Sequence, residues 1–123
     1  MMKIPSVSEA EWVVMKVIWE ANPITAKQII QKLEGEKDWK EKTIKTMLSR
    51  LVSKEALSFE KDGREFNYYP LITEKECMEA ENDSFIKKVY NGKLNIMLAN
   101  FLQQEDLSEE EIEELRKILD SKR

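Results

Sequence analysis

The sequence contains no histidine, and Cys77 is the single cysteine among its 123 residues. Without imidazole, the chain lacks the group that most often serves as catalytic base, proton shuttle or metal ligand. One cysteine cannot close a disulfide within the chain or build a thiolate cage, so we interpret Cys77 as a small apolar packing residue. With three glycines in total, there is also no glycine-rich loop to cradle a phosphate. The sequence therefore predicts no enzyme, no metal site and no cofactor.

Long apolar runs are absent as well. The longest stretch without a charged side chain is the eleven residues 94–104, which is too short to cross a bilayer. No basic segment followed by an apolar run opens the sequence, so no secretion signal is expected, and we predict a cytoplasmic location. Hydrophobic residues make up 41% and charged residues 36%, which is typical of a soluble chain with a modest core.

Four helix starts are marked by a capping box. In this motif a Ser or Thr and a Glu or Gln three residues later satisfy two free amides of the first helical turn. The four boxes are Ser8 with Glu11, Thr25 with Gln28, Thr73 with Glu76, and Ser108 with Glu111. We expect the first helix to end at Asn22, because Pro23 disfavours a helical residue before it. Gly35 is expected to end the second helix in a left-handed conformation.

A third helix without a capping box and a hairpin lie between the second and third boxes. The apolar period predicts this helix from about residue 39 or 40 to about residue 54. The period then changes from 3.6 to 2, and the two alternating segments flank Asp62-Gly63. This pair predicts a two-residue type I′ turn. That turn would place Phe59 opposite Phe66 and Leu57 opposite Tyr68.

Three further helices are predicted after Pro70. The first runs from Thr73 to about Tyr90, and the other two carry apolar residues at helical spacing. The fold class is therefore mainly α with a small β-hairpin wing: an N-terminal winged helix-turn-helix domain of residues 1–71 and a C-terminal three-helix module of residues 72–123. Because about fifty residues of short helices rarely bury a sufficient core alone, we expect the C-terminal module to form a homodimer. The predicted dimerisation residues are Leu94, Met97, Leu98, Phe101, Ile112, Leu115 and Leu119.

The charge is unevenly distributed. The net charge of −4 would by itself argue against a nucleic-acid partner. Residues 1–71, however, hold 12 basic and 11 acidic side chains, whereas residues 72–123 hold 8 and 13. Within the first part, residues 37–54 have a net charge of +4. The positive charge is thus concentrated on the third helix and the residues that lead into it.

The outward face of the third helix is polar and cationic. At about 100° per residue, the apolar residues of this helix fall on one side, and the opposite side carries Lys42, Thr43, Lys45, Thr46, Ser49 and Arg50. Such side chains reach phosphates or donate to base edges in a major groove. A solvated surface would be the commoner explanation for an isolated helix. Three helices followed by a hairpin are instead typical of a winged helix-turn-helix, in which the third helix enters the major groove. Lys61 and Arg64 beside the hairpin turn complete the predicted DNA contacts.

Several segments resemble the penicillinase repressor family over nearly the whole chain. They are the third-helix segment of residues 42–51, the opening residues 8–19, and the tail segments 90–101 and 107–115. The resemblance implies a homodimer on a palindromic operator with TACA and TGTA half-sites, which represses a β-lactamase or a resistant penicillin-binding protein. It also implies inactivation after a membrane sensor with a zinc protease domain detects β-lactam, by a cut that matches Asn100-Phe101. The sensor, or a protease that it activates, would then be a partner besides DNA and the second copy.

Two departures from the family pattern bear on function. Lys40-Glu41 stand where members of the family often have Ser-Pro, and Glu55 stands where some have glycine. The first departure removes a cap and puts an acid near the DNA. The C-terminal cysteine cluster of copper-responsive relatives is absent, which removes metal sensing as the trigger.

Two alternatives stay open from the sequence. The chain could be a paralogue with another operon and signal, which the neighbouring genes would reveal. It could also be a winged-helix module that binds protein and never touches DNA.

Overall fold

The computed structural model describes residues 4–123. Six α-helices and three short β-strands follow one another along this part of the chain. In order, they are α1 (Glu9–Glu20), β1 (Ile24–Thr25), α2 (Ala26–Leu33), α3 (Glu41–Ser53), β2 (Leu57–Asp62), β3 (Glu65–Pro70), α4 (Glu74–Tyr90), α5 (Leu94–Gln104) and α6 (Glu109–Asp120). The expected fold class, mainly helical with a small antiparallel sheet, is confirmed. None of these helices combines the length and the apolar character needed to cross a bilayer.

All four capping boxes form. In the first, the Ser8 amide donates to the Glu11 carboxylate over 2.9 Å, and the Glu11 amide donates to Ser8 Oγ over 3.1 Å. The other three boxes make the same pair of hydrogen bonds over 2.9 to 3.2 Å. Each box satisfies two amides that have no partner inside the helix. These helix starts therefore follow from contacts between residues three apart in the sequence.

The ends of the first two helices are close to their predicted positions. Helix α1 ends at Glu20, two residues before the expected end at Asn22. The side-chain amide of Asn22 donates to the carbonyl of Ile18 over 2.9 Å, so Asn22 caps the last turn from outside the helix. Helix α2 ends at Leu33, and Gly35 has the expected left-handed conformation with φ +86°.

The sheet contains one more strand than the sequence predicts. Its order is β1-β3-β2, with both pairs antiparallel. In the two-residue strand β1, Ile24 lies opposite Tyr68 and Thr25 lies opposite Asn67. A strand this short has no alternation that a sequence pattern could reveal, and it exists because β3 offers it a free edge.

The register of the hairpin β2–β3, which we call the wing, differs from the prediction by two residues. Phe59 lies opposite Tyr68, not Phe66, and Leu57 lies opposite Pro70. Gly63 and Arg64 occupy the turn, with positive φ at the glycine alone (φ +64°), the pattern of a type II′ turn rather than type I′. The buried end of the hairpin sets this register, because Leu57 is fully buried and the Leu71 amide extends the ladder by donating to the carbonyl of the buried Ala56 over 2.9 Å.

The chain divides into two compact units, and the first ends at Asn82. Within residues 4–123, this first unit contains all the buried apolar residues, which come from α1 to α3, the sheet, the start of α4 and the connecting residues Ala56 and Ile72. They are Val14, Met15, Ile18, Ile24, Ile29, Leu33, Ile44, Met47, Leu48, Leu51, Ala56, Leu57, Ile72 and Cys77. The grouping is one of packing, and the predicted functional division between residues 71 and 72 stays a prediction.

The second unit, residues 83–123, has no buried side chain. Nine of its large apolar residues are exposed to between 38% and 56%, and they lie on all three of its helical segments. The exposed ones are Phe85, Val89, Leu94, Ile96, Phe101, Leu102, Ile112, Ile118 and Leu119. As a single copy, this unit leaves its apolar side chains in water.

Candidate nucleic-acid interface

The outward face of α3 carries the six helical residues that the sequence assigns to DNA contacts. The opposite side of α3 is held in the core by Ile44, Met47, Leu48 and Leu51, which are buried. The six residues of the outward face, Lys42, Thr43, Lys45, Thr46, Ser49 and Arg50, are all exposed. Within residues 4–123, no cation of this face forms an ion pair with the protein. Their charge therefore remains available to an anionic ligand.

One hydroxyl on this face is already engaged. Thr46 Oγ1 donates to the carbonyl of Lys42 over 2.8 Å. Because its proton is used inside the helix, the Thr46 side chain offers a ligand only an oxygen acceptor and a methyl group. It suits an amino group or a thymine methyl at a base edge better than a phosphate.

The amino-terminal end of α3 has no side-chain cap. Lys40 occupies the N-cap position without a hydrogen bond from its side chain to the helix, as the sequence predicts. The exposed Glu41 lies in the first turn, where a carboxylate is favoured by the helix dipole. The same carboxylate repels a phosphate, so the end of α3 combines a favourable dipole with an unfavourable charge.

An open groove runs between α2, α3 and the wing. It has a volume of about 780 Å³ and is lined by both polar and aromatic side chains. Lys45 and Ser49 of α3 face it together with Arg64 and Phe66 of the wing. The structure thus brings predicted contact residues from the third helix and from the hairpin to one surface.

The groove also contains residues that the sequence reasoning missed. Lys27 and Gln31 of α2 lie on its wall, one helical turn apart. The sequence signal that could have identified these two residues is their spacing of four on the polar side of an amphipathic helix. The glutamates Glu34, Glu41 and Glu65 line the groove as well, so its charge is mixed rather than purely basic.

The two predicted contacts of the wing occupy different positions in the hairpin. Arg64 lies in the turn itself, and Lys61 lies opposite Phe66 near the end of β2. The ammonium of Lys61 lies 6.0 Å from the centroid of the Phe66 ring, at the outer limit of a cation–π contact. Both cations are exposed.

Lys54, which contributes to the net charge of residues 37–54, is paired with a buried carboxylate and is not one of the free cations of this surface. Its ammonium donates to the Glu11 carboxylate over 2.6 Å and to the carbonyl of Ser6 over 3.0 Å. The Glu11 side chain is only 3% exposed. This ion pair connects the carboxyl-terminal end of α3 to the start of α1, and sequence patterns of short range give no sign of it.

The same ion pair changes the acidity of Glu11. Burial raises the pKa of its carboxyl, but hydrogen bonds from Lys54 and Ser8 outweigh burial, so the pKa lies below the ordinary glutamate value. Glu11 is therefore charged at neutral pH although it is buried.

The predicted cleavage site lies within α5. The side-chain amide of Asn100 donates to the hydroxyl of Tyr90 over 2.9 Å. The ring of Phe101 lies 6.2 Å from that of Phe85 and 6.3 Å from that of Tyr90, centroid to centroid. Both residues at the predicted cut are thus engaged with neighbouring side chains, while remaining exposed.

Among the seven predicted dimerisation residues, Met97, Leu98 and Leu115 are half-buried, whereas Leu94, Phe101, Ile112 and Leu119 are exposed.

Cys77 is buried, and burial together with Glu76 and Glu81 raises the pKa of its thiol, which fits a packing residue. Within residues 4–123 no cluster of metal-ligating side chains is present.

Comparison with protein-family models matches residues 7–121 to the penicillinase repressor family. The chain belongs to this family. Members of the penicillinase repressor family are DNA-binding transcriptional repressors with a winged-helix domain, not enzymes. The family assignment and the expectation that the chain is not an enzyme are thereby confirmed.

Similar sequences extend over nearly the full length. The penicillinase repressor of Bacillus licheniformis is 48% identical over 120 residues, which cover 98% of this chain and 94% of that protein. The methicillin resistance regulatory protein MecI of Staphylococcus aureus is 42% identical over 120 residues, with 98% of both chains covered. The penicillinase repressor of Staphylococcus aureus is 34% identical over 113 residues, 92% of this chain and 90% of that protein.

Two solved structures resemble part of the chain. The DNA-binding domain of the repressor BlaI, in solution, superposes with a TM-score of 0.56 at 47% identity and covers 62% of this chain and 93% of its own. The monomeric form of Bacillus licheniformis BlaI in complex with the blaP half-operator superposes with a TM-score of 0.54 at the same identity and coverage. This winged-helix repressor family therefore includes a member whose DNA complex has been solved.

Proposed function

We propose that this chain is a homodimeric repressor of β-lactamase or penicillin-resistance genes that binds a palindromic operator. The exposed cationic face of α3, beside the wing, carries the proposal. It is supported by the BlaI complex with the blaP half-operator, whose protein is 47% identical to this chain over the matched part. All eight predicted contact residues are exposed in this chain, as DNA binding requires. A repressor of this kind acts in the cytoplasm, where it excludes polymerase from the promoter.

The second unit supplies the dimer in this proposal. Its three helical segments leave large apolar side chains exposed and bury none of their own. A second copy is the partner that would cover them, and twofold symmetry would present two α3 helices to two half-sites about one helical turn, or a multiple of it, apart. Linking the two binding modules raises the affinity for the whole operator above that for one half-site.

Release from DNA follows from cleavage between Asn100 and Phe101, after a membrane metalloprotease sensor has detected β-lactam. The cut removes α6 and part of α5 from the dimerisation module, so the two DNA-binding units lose their linkage. Because both residues lie inside a helix and contact Tyr90, the bond becomes accessible only when α5 opens locally.

Retention of operator DNA tests the first part of the proposal. The probe is a synthetic duplex with TACA and TGTA as a dyad, at physiological salt. Lys42→Ala and Arg50→Ala are expected to weaken binding by about 5- to 150-fold each if they contact base edges. Lys87→Ala is the matched control, because this exposed cation lies on α4 in the second unit. Unchanged retention of the Lys42 and Arg50 variants would instead favour a winged-helix module that binds protein.

Mass spectrometry tests the second part. Co-expression with the cognate sensor in the presence of β-lactam is expected to yield a fragment that ends at Asn100. A different terminus would remove this assignment. A sensor gene beside the gene of this chain separates the β-lactam repressor from a paralogue with another operon and signal.

A further inference from the structure

Three aromatic side chains form a cluster on one face of the wing. Phe59 and Phe66 stack with their ring centroids 4.4 Å apart and an interplanar angle of 28°. Tyr68 meets the rings of Phe59 and Phe66 at 5.8 Å and 6.5 Å. The face begins in the core at Leu57, which is buried, and continues outward through Phe59 to Phe66. An apolar surface thus extends beyond the core toward the tip of the hairpin.

The two phenylalanines are equally exposed but differ in what they face. Phe59 is 37% exposed and Phe66 is 39% exposed. Only Phe66 lines the groove between α2, α3 and the wing, where it lies with Lys45, Ser49 and Arg64. Phe66 thus exposes apolar surface in a groove whose other lining residues include cations that we assign to DNA.

We infer that Phe66 is an additional DNA-contacting residue, whose ring packs against the apolar part of a nucleotide beside α3. This inference rests on the proposed function. The apolar groups that duplex DNA presents there are the thymine methyl, in the major groove, and the deoxyribose of the backbone. Lys61, opposite Phe66 in the hairpin and 6.0 Å from its ring, brings a cation next to the same nucleotide and neutralises its phosphate.

Stacking on Phe59 fixes the orientation of the Phe66 ring. Phe59 stacks on Phe66 with the ring centroids 4.4 Å apart, and the 39% of Phe66 that stays exposed is the surface left for a ligand. A ring held in place by packing loses little conformational freedom on binding, so its contact contributes more to affinity than that of a flexible side chain. The register of the wing, two residues from the predicted one, is what puts Phe66 opposite Lys61.

The test compares Phe66→Ala with Phe59→Ala in the full-length chain, on the synthetic duplex with TACA and TGTA. Both variants are expected to lose similar stability in urea, since each removes one ring of the same stacked pair. Phe66→Ala is expected to lose affinity by about 3- to 10-fold for each copy bound, because about two-fifths of its surface remains to be buried. Phe59→Ala keeps the Phe66 ring but removes the residue on which it stacks, so it is expected to lose less affinity than Phe66→Ala, about twofold. Phe66→Leu, which keeps an apolar side chain, should lie between Phe66→Ala and the wild type.

Two further measurements identify the contact. Phe66→Ala should leave the salt dependence of binding unchanged, whereas Lys45→Ala should reduce its slope by about one for each copy bound. A duplex with deoxyuridine in place of thymidine lacks the methyl groups. If it weakens the wild type but not Phe66→Ala, the ring contacts a methyl group, and if it affects neither protein while Phe66→Ala still binds weakly, the ring contacts a sugar.

Three results would overturn the inference. Phe66→Ala could bind as tightly as the wild type, Phe59→Ala could lose as much affinity as Phe66→Ala, or the salt slope could fall with Phe66→Ala. The second result would assign the effect to order in the hairpin, and the third to displaced cations. If the wild type itself does not retain the duplex, the proposed function fails, and this inference fails with it.

Discussion

The two units of the chain differ in how much of their apolar surface they bury. The first unit, which ends at Asn82, buries fourteen apolar side chains within its described residues 4–82. The second unit, residues 83–123, is rich in apolar residues and buries none. One of its helices is nevertheless well specified locally, because α6 begins with a capping box as complete as that of α1.

The contrast teaches that a good local helix signal and a self-sufficient core are separate properties. Capping contributes about 1 kcal/mol per helix, whereas burying one large apolar side chain contributes about 1.5 to 3 kcal/mol. The first unit has both contributions within one copy. A single copy of the second unit has only the capping contribution, so the stability of this unit is expected to depend on protein concentration.

The largest expected effect comes from placing an aspartate at an apolar position of each unit. Leu51→Asp buries a charge in the core of the first unit and is expected to cost more than about 4 kcal/mol, so that this unit unfolds. Leu98→Asp is expected to leave the first unit folded and to convert the proposed dimer to a monomer. Fluorescence separates the two outcomes, because all three tryptophans, Trp12, Trp19 and Trp39, lie in the first unit.

Sedimentation completes that comparison, with Gln103→Asp on the exposed surface of α5 as the matched control. Ile112→Asp should give a monomer in the same way as Leu98→Asp. A Leu98→Asp protein that sediments as a dimer would show that the interface lies elsewhere.

The second expected effect compares the two ion pairs of the structure within residues 4–123. Lys54–Glu11 is short, and its carboxylate is buried, whereas Arg116–Glu113 spans 3.9 Å between exposed side chains. Lys54→Ala is expected to lower the unfolding free energy by about 2 to 4 kcal/mol, because a buried carboxylate loses its partner. Arg116→Ala should change it by less than about 0.5 kcal/mol. Urea denaturation followed by circular dichroism measures both, and equal losses would refute the distinction.

The third comparison uses pH. The pKa of Glu11 is lowered in the folded state because hydrogen bonds from Lys54 and Ser8 outweigh burial, which raises it. A lowered folded-state pKa gives stability that is complete above the ordinary glutamate pKa and is lost as pH falls through the lowered value. The wild type should therefore exceed Glu11→Gln in stability at pH 7, and the difference should shrink below about pH 4.3.

Glu111→Gln is the control for this pH dependence. Hydrogen bonds from Ser108 lower the pKa of Glu111, but its carboxylate is exposed and has no lysine beside it. We expect a smaller pH-dependent difference than for Glu11→Gln. A difference for Glu11→Gln that grows as the pH falls would contradict the assignment.

The smallest expected effect concerns two residues with left-handed backbone. Glu55 has φ +65° in the first unit, and Asn91 has φ +51° in the second. Glu55 ends α3 in a Schellman motif, in which the Ala56 amide donates to the carbonyl of Leu51 and the Glu55 amide to that of Val52.

Glycine adopts this conformation without strain and asparagine tolerates it, but glutamate does not. Glu55→Gly is therefore expected to raise the unfolding free energy by up to about 1 kcal/mol. Asn91→Gly should change it by less than half of that amount. Thermal unfolding measures both, and a destabilised Glu55→Gly protein would show that the glutamate side chain has another role.

Most of the helical structure could be predicted from the sequence, because its signals act over three or four residues. The four capping boxes, the uncapped start of α3 and the left-handed Gly35 all appear in the structure as predicted. The exposed face of α3 follows from the same helical periodicity. Strand β1 and the register of the wing could not be predicted, because both depend on residues distant in the sequence. Strand β1 needs the edge of β3, and the register of the wing depends on Ala56 and Leu57 in the core.

The sequence by itself determined where the helices begin, which side of α3 is polar, and the family to which the chain belongs. The helix starts and the polar side of α3 depend on residues close together in the chain, and the family is indicated by short segments along it. The tertiary structure alone decided that Lys54 pairs with Glu11 and that Phe66 lies in the groove with Lys45. Both arrangements join residues far apart in the sequence, and only packing around a common core brings such residues together.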